Sequence, residues 1–531
     1  MLRIDVKLPL NFTQNDIKSK ICSILPIEQT EIKDFQILKL SLDLTDKSNI
    51  CHKAAIGISL DGELEEKFKL RKKVCSAVED LHFEHKSYNV KNLHPVIVGA
   101  GPCGLFAALT LAETGAHPIV LERGLCVEER ELEVDKFIKL GILNPECNVQ
   151  FGEGGAGTYS DGKLKAGALN KYKLKILQEF VEAGATNDII YSSTAHLGTD
   201  KLQNIVKNIR QKIINLGGSF IFGAKFTEFV YKNGNLEAIK YIKDGNEIIL
   251  SCTDVILAIG HSARDTITSL YESGFQMIPK GFGVGMRIEH PREYINEIVY
   301  GKNYDRSLET ATYHLVTHLS NGRSVYSFCM CPGGTVVPAA SEQGGIVTNG
   351  MSVFNRDADN SNCALLVSVT PEDFGSKHVL AGLDFQREIE RKAFNISTSY
   401  RAPMTKMSNI FENTAPNDNL YNVIPSYPMG TLPCSPNEYL PDYVTNSLSQ
   451  SLKDFDDWMP GFYLPDAVLT GPETRTTAPI RMLRNEKTRE ALARPCVYPS
   501  GEGAGYAGGI VTSAYDGMLS ALALLEKFII D

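Results

Sequence analysis

Three glycines and one glutamate carry the clearest chemistry in this chain. In HPVIVGAGPCGLFAALTLAETGAHPIVLERG, His94 to Gly124, an apolar run (Val96 to Val98, preceded by Pro95) leads into Gly99, Gly101 and Gly104, and a stretch rich in Ala and Leu follows. A second apolar run, Ile119 to Leu121, ends on Glu122, 18 residues after Gly104. Strand, glycine turn, helix, strand and a spaced carboxylate is the order of a dinucleotide site. Gly99 permits the tight turn, Gly101 lets backbone amides approach a pyrophosphate, and Gly104 lets helix and strand pack closely. The helix N-terminus adds partial positive charge, and Glu122 can accept two ribose hydroxyl hydrogen bonds. Pro102 and Arg123 are counted with this site. Cys103 reads as a small packing residue rather than a reactive thiol.

The same logic returns about 400 residues later in VYPSGEGAGYAGGIVTSAYDGMLSALALL, Val497 to Leu525. An apolar strand end meets Gly501 and Glu502, a glycine loop containing Gly508 follows, and a helix begins near Gly509 and Ile510. A simple NAD dehydrogenase does not need this second element. FAD does, because one end of the chain holds its ADP half and the other sets a carboxylate on the ribityl chain and a helix N-terminus at the flavin pyrimidine edge. Between them, TDVILAIGHSA (Thr253 to Ala263) reads as a buried strand returning beneath the cofactor through Ala258 and Gly260. Asn233-Gly234 and Asp244-Gly245 before it are strong hairpin signals, dividing three short strands between Ser219 and Leu250.

NVQFGEGGAGTYSDGKL, Asn148 to Leu164, contains GxxxxGK from Gly157 to Lys163, but Leu164 stands where a hydroxyl would hold magnesium and no Val/Ile strand leads in. It reads instead as backbone wrapped against the dinucleotide, with Gly154, Gly155 and Lys163 as contacts. No second GxGxxG follows a strand, and GFGVG at Gly281 to Gly285 has the wrong spacing, so NAD(P)H is expected only as a transient electron donor.

Candidates for the reaction itself lie between the two glycine motifs. GPETRTTAPIRM places Glu473, Arg475 and Arg481 in a small, hydroxylic segment. If extended, Glu473 and Arg475 lie on one side, where they either neutralise each other or work together, Glu473 fixing a guanidinium that clamps an anionic substrate. Cys329 and Cys331, two apart in SVYSFCMC, share one face of a regular strand, which permits a strained disulfide at best. Cys331 is therefore read as lining a substrate site.

These residues need elements to hold them. The expected fold is α/β: a discontinuous, three-layer Rossmann-like FAD/NAD(P)-binding domain (89–275 plus 490–531), an inserted substrate domain (276–489) with one antiparallel sheet formed from about Phe282 to Val369, and a small N-terminal α+β module (1–88). In that module Ile4 to Leu8, Ile37 to Leu42 and Ala54 to Leu60 read as strands and Gln14 to Ile24 as a helix. Val127 to Leu140 and Thr199 to Leu216 read as further helices.

At 531 residues and 43% hydrophobic content the chain can bury several cores, and a net charge of -9 without a basic run disfavours nucleic acid and anionic membrane. Its start lacks a signal peptide's apolar core, no uncharged apolar run is long enough to span a bilayer, and the 12 cysteines include no CxxC pair, so a cytoplasmic protein without a metal site is expected. His82, His85 and His94 lie in a polar linker and read as solvated. Oligomeric state is left open.

Taken together, VIVGAGPCGLFAALTLAE, NVQFGEGGAGTYSDGKL, FCMCPGG, GPETRTTAPIRM and YPSGEGAGYAGGIVTSA resemble a bacterial family of FAD-dependent, or NAD(FAD)-utilising, dehydrogenases. The resemblance implies FAD held by Gly99, Gly101, Gly104 and Glu122, with Gly501-Glu502 where related flavoproteins carry Gly-Asp, and hydride transfer between flavin N5 and a small organic substrate. The rival readings are a thiol redox protein using Cys329 and Cys331, and a non-catalytic binding or regulatory flavoprotein.

Overall fold

The computed structural model describes residues 1–69, 76–77, 81–165, 167–416 and 422–530. Its central element is a five-stranded sheet in the order Val497–Pro499, Asp254–Leu257, Pro95–Val98, Ile119–Glu122 and Ser219–Phe222, with every pair parallel. The Pro95–Val98 and Asp254–Leu257 strands are buried at all four positions, as apolar runs in a sheet covered on both faces must be, and the one charged residue among them, Asp254, is paired with Lys527. The fold is thus α/β and Rossmann-like. One difference from expectation is that Ser219–Phe222 joins this sheet instead of the neighbouring meander. That meander is built from Lys225–Lys232, Asn235–Lys243 and Asn246–Ser251, joined at Asn233-Gly234 and Asp244-Gly245, where all four residues have positive φ.

The helix Pro102–Glu113 starts directly after the first glycine turn and crosses the C-terminal helix Ile510–Leu525. The crossing is close: a Cβ on Gly517 would stand 2.0 Å from the Cys103 carbonyl oxygen, and one on Gly104 would stand 1.8 Å from that of Gly99. Cys103 packs in this contact, and burial pushes its thiol up.

The second unit is a seven-stranded sheet in the order Val316–His318, Ser324–Cys331, Asn360–Val369, Phe282–Pro291, Val468–Glu473, Ala402–Lys406 and Thr431–Pro433. It is antiparallel except for its last, parallel pair. GFGVG lies within or beside the Phe282–Pro291 strand, not in a turn. The chain enters and leaves through Met277–Pro279 and Ile480–Met482, which pair with each other.

Two features of this sheet differ from expectation. Thr335–Pro338 and Thr348–Met351 form a separate hairpin. Of the run Thr310 to Leu319 only Val316–His318 is strand, because side chains take its amides: Asn296 Oδ1 accepts from Ala311 at 2.8 Å and Ser327 Oγ from Leu315 at 2.8 Å. The sheet also recruits strands beyond Val369, up to Glu473.

The N-terminal module pairs Leu2–Leu8, Asp34–Asp43 and Cys51–Ser59 beneath the helix Gln14–Ile24, which begins with a Thr13–Asp16 capping box. It joins the main body through Leu40, whose N–H donates to Tyr191 O at 2.8 Å. His85 is not free in solvent: its Nε2 lies 3.0 Å from Glu113.

Gly104→Ala should lower stability in urea unfolding by about 3 kcal/mol, since backbone must move to admit the methyl group. Gly62→Ala, whose Cβ meets nothing within 4 Å, should be neutral or stabilise by up to about 1 kcal/mol.

Candidate functional site

A cavity of about 460 Å³ runs from the first glycine turn to the antiparallel sheet. Gly99, Gly101, Glu122 and Gly155 line one end, Gly508, Gly509 and Ile510 another, and Cys329, Glu473 and Arg475 reach it from the second unit. Pro102, Arg123, Lys163, Ala258, Gly260 and Glu502 also line it, whereas Gly154 and Gly501 stand behind.

The glycine end is shaped for close backbone approach. Gly99 has a φ of 106° and Gly155 of 63°, and a Cβ on Gly155 would come within 3.1 Å of the Gly101 Cα. Side chains here would close the space in front of the helix amides, so the residues fit an extended dinucleotide such as FAD. Gly154 N–H donates to Ala100 O at 2.8 Å, so it ties this loop to the turn. The loop is built on Arg130, fully buried, which donates to the carbonyls of Asn148, Val149, Gly152, Glu153 and Gly155. No sequence pattern signalled Arg130.

Glu122 is more engaged than a free ribose acceptor. Its carboxylate accepts from the backbone N–H groups of Ala100 (2.8 Å), Gly124 (2.9 Å) and Gly152 (3.0 Å). A carboxylate offers about four acceptor sites, which leaves room for one ribose hydroxyl rather than two. Arg123 is likewise occupied, bidentate to Asp265 at 3.0 Å and lying over the Phe151 ring. Lys163 turns its ammonium to the Met330 carbonyl.

At the C-terminal turn, Asp516 accepts the Gly501 N–H at 2.7 Å and pairs with Arg484 and Arg489. This fixes Glu502 at the cavity wall, where burial pushes its carboxyl up to about 8 against the nearby Lys280.

The expected Glu473–Arg475 partnership does not form. Glu473 is bidentate to Arg287, at 2.7 and 2.9 Å, because it pairs across the sheet with the strand that carries Arg287. Arg475 instead faces Glu390 of the helix Ala381–Ser397, with contacts of 3.1 and 2.9 Å, and donates to Ser341. Glu390 also accepts two bonds from Arg264, at 2.8 and 2.7 Å, and one from Thr474 at 2.7 Å. Arg475 is thus an internally paired cation at the cavity edge. Cys331 does not line the cavity but is fully buried; Cys329 takes that place, because the strand between them is not regular.

His261, which belongs to no motif, also lines the cavity. Its tautomer follows from its neighbours. Gln150 donates through Nε2 to Ala339 O (3.3 Å), so its Oε1 accepts from Ser262 Oγ (3.1 Å), and Ser262 Oγ in turn accepts from His261 Nδ1 at 3.1 Å. Nε2 is then the unprotonated acceptor. Burial, with Arg475 and Arg264 nearby, holds the imidazole down at about 3, hence neutral. Its only sequence signal is its place just after the Ala258-Ile259-Gly260 strand end.

Between two guanidiniums, Glu390 is held far below the usual carboxylate range despite burial. A depressed folded-state value means that its stabilisation is present above the ordinary carboxylate range and is lost as pH falls through and below it. Glu390→Gln should therefore cost about 3 to 5 kcal/mol at neutral pH, leaving buried cations unpaired. Thermal melts from pH 7 to 3 should show the variant losing less stability on acidification than the parent.

Residues 281–476 match the family model described as FAD-dependent protein, C-terminal domain-like. A protein of Clostridium beijerinckii (strain ATCC 51743 / NCIMB 8052), described as an uncharacterized protein, is 43% identical over 530 residues, 99% of this chain and 98% of the relative. Among solved structures, the 3-ketosteroid-delta4-(5alpha)-dehydrogenase of Rhodococcus jostii RHA1 aligns at 12% identity with a TM-score of 0.34, over 83% of this chain and 99% of that one. A geranylgeranyl bacteriochlorophyll reductase-like protein of Thermoplasma acidophilum aligns at 11% and 0.34, over 83% and 78%. The chain belongs to the same family as the Clostridium protein.

Proposed function

We propose that the protein is an FAD-dependent oxidoreductase acting on a small organic substrate. The observation that carries this reading is one cavity lined at once by both glycine turns and by the antiparallel sheet. In it the turn at Gly99 and Gly101, the amides opening the Pro102–Glu113 helix and the carboxylate of Glu122 would hold the ADP half. The turn at Gly501 and Glu502, with the N-terminus of Ile510–Leu525, would serve the redox-active half. A flavin bound there supplies a two-electron centre at its N5 position.

The remaining work falls to the chain. The helix amides at Gly509 and Ile510 stabilise negative charge by roughly 0.3 to 2 kcal/mol. Burial raises the Glu502 carboxyl to about 8, so near neutral pH its protonated form can donate a hydrogen bond. His261 offers an unprotonated Nε2 beside the substrate space, and the sheet excludes water from one side. Because Glu390 neutralises Arg475, the guanidinium first anchors the strand exit to the Ala381–Ser397 helix, and only its unused donors are open to an anionic substrate.

Heat release followed by chromatography should yield one FAD per chain from yellow protein; NAD alone, or no nucleotide from folded protein, would refute the proposal. Glu122→Gln should weaken FAD binding by about 1.5 to 3 kcal/mol, roughly tenfold or more in dissociation constant, since an amide NH2 would face backbone donors. Flavin fluorescence on dilution reads that change.

A further inference from the structure

The Ser324–Cys331 strand breaks its register where two cysteines and two cations meet. Phe328 pairs with Ala364 and then Cys331 with Asn362, so Cys329 and Met330 together face the single residue Cys363. This is a β-bulge, and Cys329 adopts a φ of 43° within it. A side-chain-bearing residue in that region is strained and persists only where its surroundings hold it.

Here the surroundings do. Arg287 Nη1 donates to the Cys329 carbonyl at 3.0 Å, Lys163 donates to the Met330 carbonyl, and the Tyr313 N–H contacts Met330 Sδ at 3.2 Å. Arg287 is aimed by Glu473 and by Asn362 Oδ1 (2.8 Å), and Gly350 leaves it room, since a Cβ there would stand 2.1 Å from Nη1.

In a regular strand the two cysteines would share one face with Cα atoms about 6.6 Å apart, near the limit of disulfide reach. The bulge divides their roles instead. Cys329 opens on the cavity, while Cys331 is buried, its Sγ 3.4 Å from the Cys329 carbonyl and 3.7 Å from Arg287 Nη1. The Cys331 thiol, then Arg287 and Lys163, hold Cys329 below the usual thiol range, while burial pushes Cys331 up. One sulfur is accessible and thiolate-like, and the other is protected and adjacent.

We propose that Cys329 and Cys331 are a dithiol–disulfide couple of this cavity, with Cys329 the attacking sulfur, Cys331 the resolving sulfur and a low-molecular-weight disulfide the substrate. The Cys329 thiolate attacks one substrate sulfur, forming a mixed disulfide and expelling a thiolate. That thiolate takes the Cys331 proton, and the Cys331 sulfur attacks Cys329, closing the internal disulfide and expelling the second substrate thiolate, which solvent protonates. Two electrons pass from the pair to the substrate, and no further oxidant enters. The inference rests on the oxidoreductase reading for the source of the two electrons, the reduced flavin, that restore the dithiol. Cys363 faces the carbonyls of Phe328 and Ala364, with its thiol pushed up to about 11 by burial, and takes no part.

Trypsin places Cys329 and Cys331, and no other cysteine, in the peptide from Ser324 to Arg356. Holoprotein with its cysteines reduced and its flavin left oxidised is mixed anaerobically with oxidised glutathione, quenched in acid and mapped by mass spectrometry. Wild type should release about two glutathione thiols per chain and give a peptide lighter by two hydrogens. Cys331→Ser should stop at glutathionylated Cys329 with about one thiol released, and Cys329→Ser should react at least tenfold more slowly. A wild-type peptide that stays reduced or stops at the mixed disulfide overturns the proposal without any variant having to fold, as does Cys329→Ser exchanging at the wild-type rate. FAD is assayed on the same samples. Light peptide from a chain lacking FAD would leave the couple standing and remove the flavin reading; FAD-loaded protein with inert cysteines would do the reverse.

Discussion

A buried carboxylate, Glu390, couples the two units of this protein. Glu390 receives two hydrogen bonds from Arg264, two from Arg475 and one from Thr474. Arg264 opens the helix that follows the parallel sheet, while Arg475 ends the path out of the antiparallel one. Neither guanidinium is stable at this depth alone, and together they would repel. The carboxylate is therefore obligatory, and its position fixes how far apart the walls of the cavity stand. Such a cluster adds little net stability over a well-packed apolar contact, but it is intolerant of displacement, because losing any member strands a charge. Glu342, which contacts Arg264 and Arg387, extends it toward the surface.

Elsewhere the cavity depends on backbone meeting backbone. The missing Cβ atoms of Gly99, Gly104 and Gly517 let a strand, a turn and two helices converge behind one surface, and Arg130 gathers five carbonyls to hold the facing loop. Across from these rigid parts, the bulge at Cys329 is held by donors from both units, Lys163 from the loop and Arg287 from the sheet. Strained backbone on the sheet side thus lies where the units meet.

Much of the scaffold was legible in the sequence because it rests on local rules. The Gln14–Ile24 and Val127–Leu140 helices and both Asn-Gly and Asp-Gly turns follow from capping, periodicity and left-handed tolerance. What could not be read depended on partners distant in sequence. Glu473 and Arg475 are two apart, yet their partners, Arg287 and Glu390, come from elements nearly two and nearly one hundred residues away. Alternation predicted a shared face for Cys329 and Cys331, and a bulge pinned by Lys163 overrode it. His261 was invisible because its meaning lies in the chain of acceptors through Ser262 and Gln150. The run from Thr310 was too polar in its contacts to be strand, since Asn296 and Ser327 claimed its amides first.

The order in which the sheet is threaded has a consequence for how the protein is made. Val497–Pro499 is the edge strand beside Asp254–Leu257, about 240 residues earlier in the chain, and Ile510–Leu525 covers the helix that follows the first turn. During synthesis the first four strands of the parallel sheet emerge with one flank bare, and the whole antiparallel unit is translated before that flank can be covered. Pairings of such long sequence separation form slowly, and an unpaired apolar edge invites association with other chains in the meantime. The Met277–Pro279 and Ile480–Met482 ribbon shortens this interval, because once the intervening unit has folded its two ends lie side by side and deliver the late strand to its place.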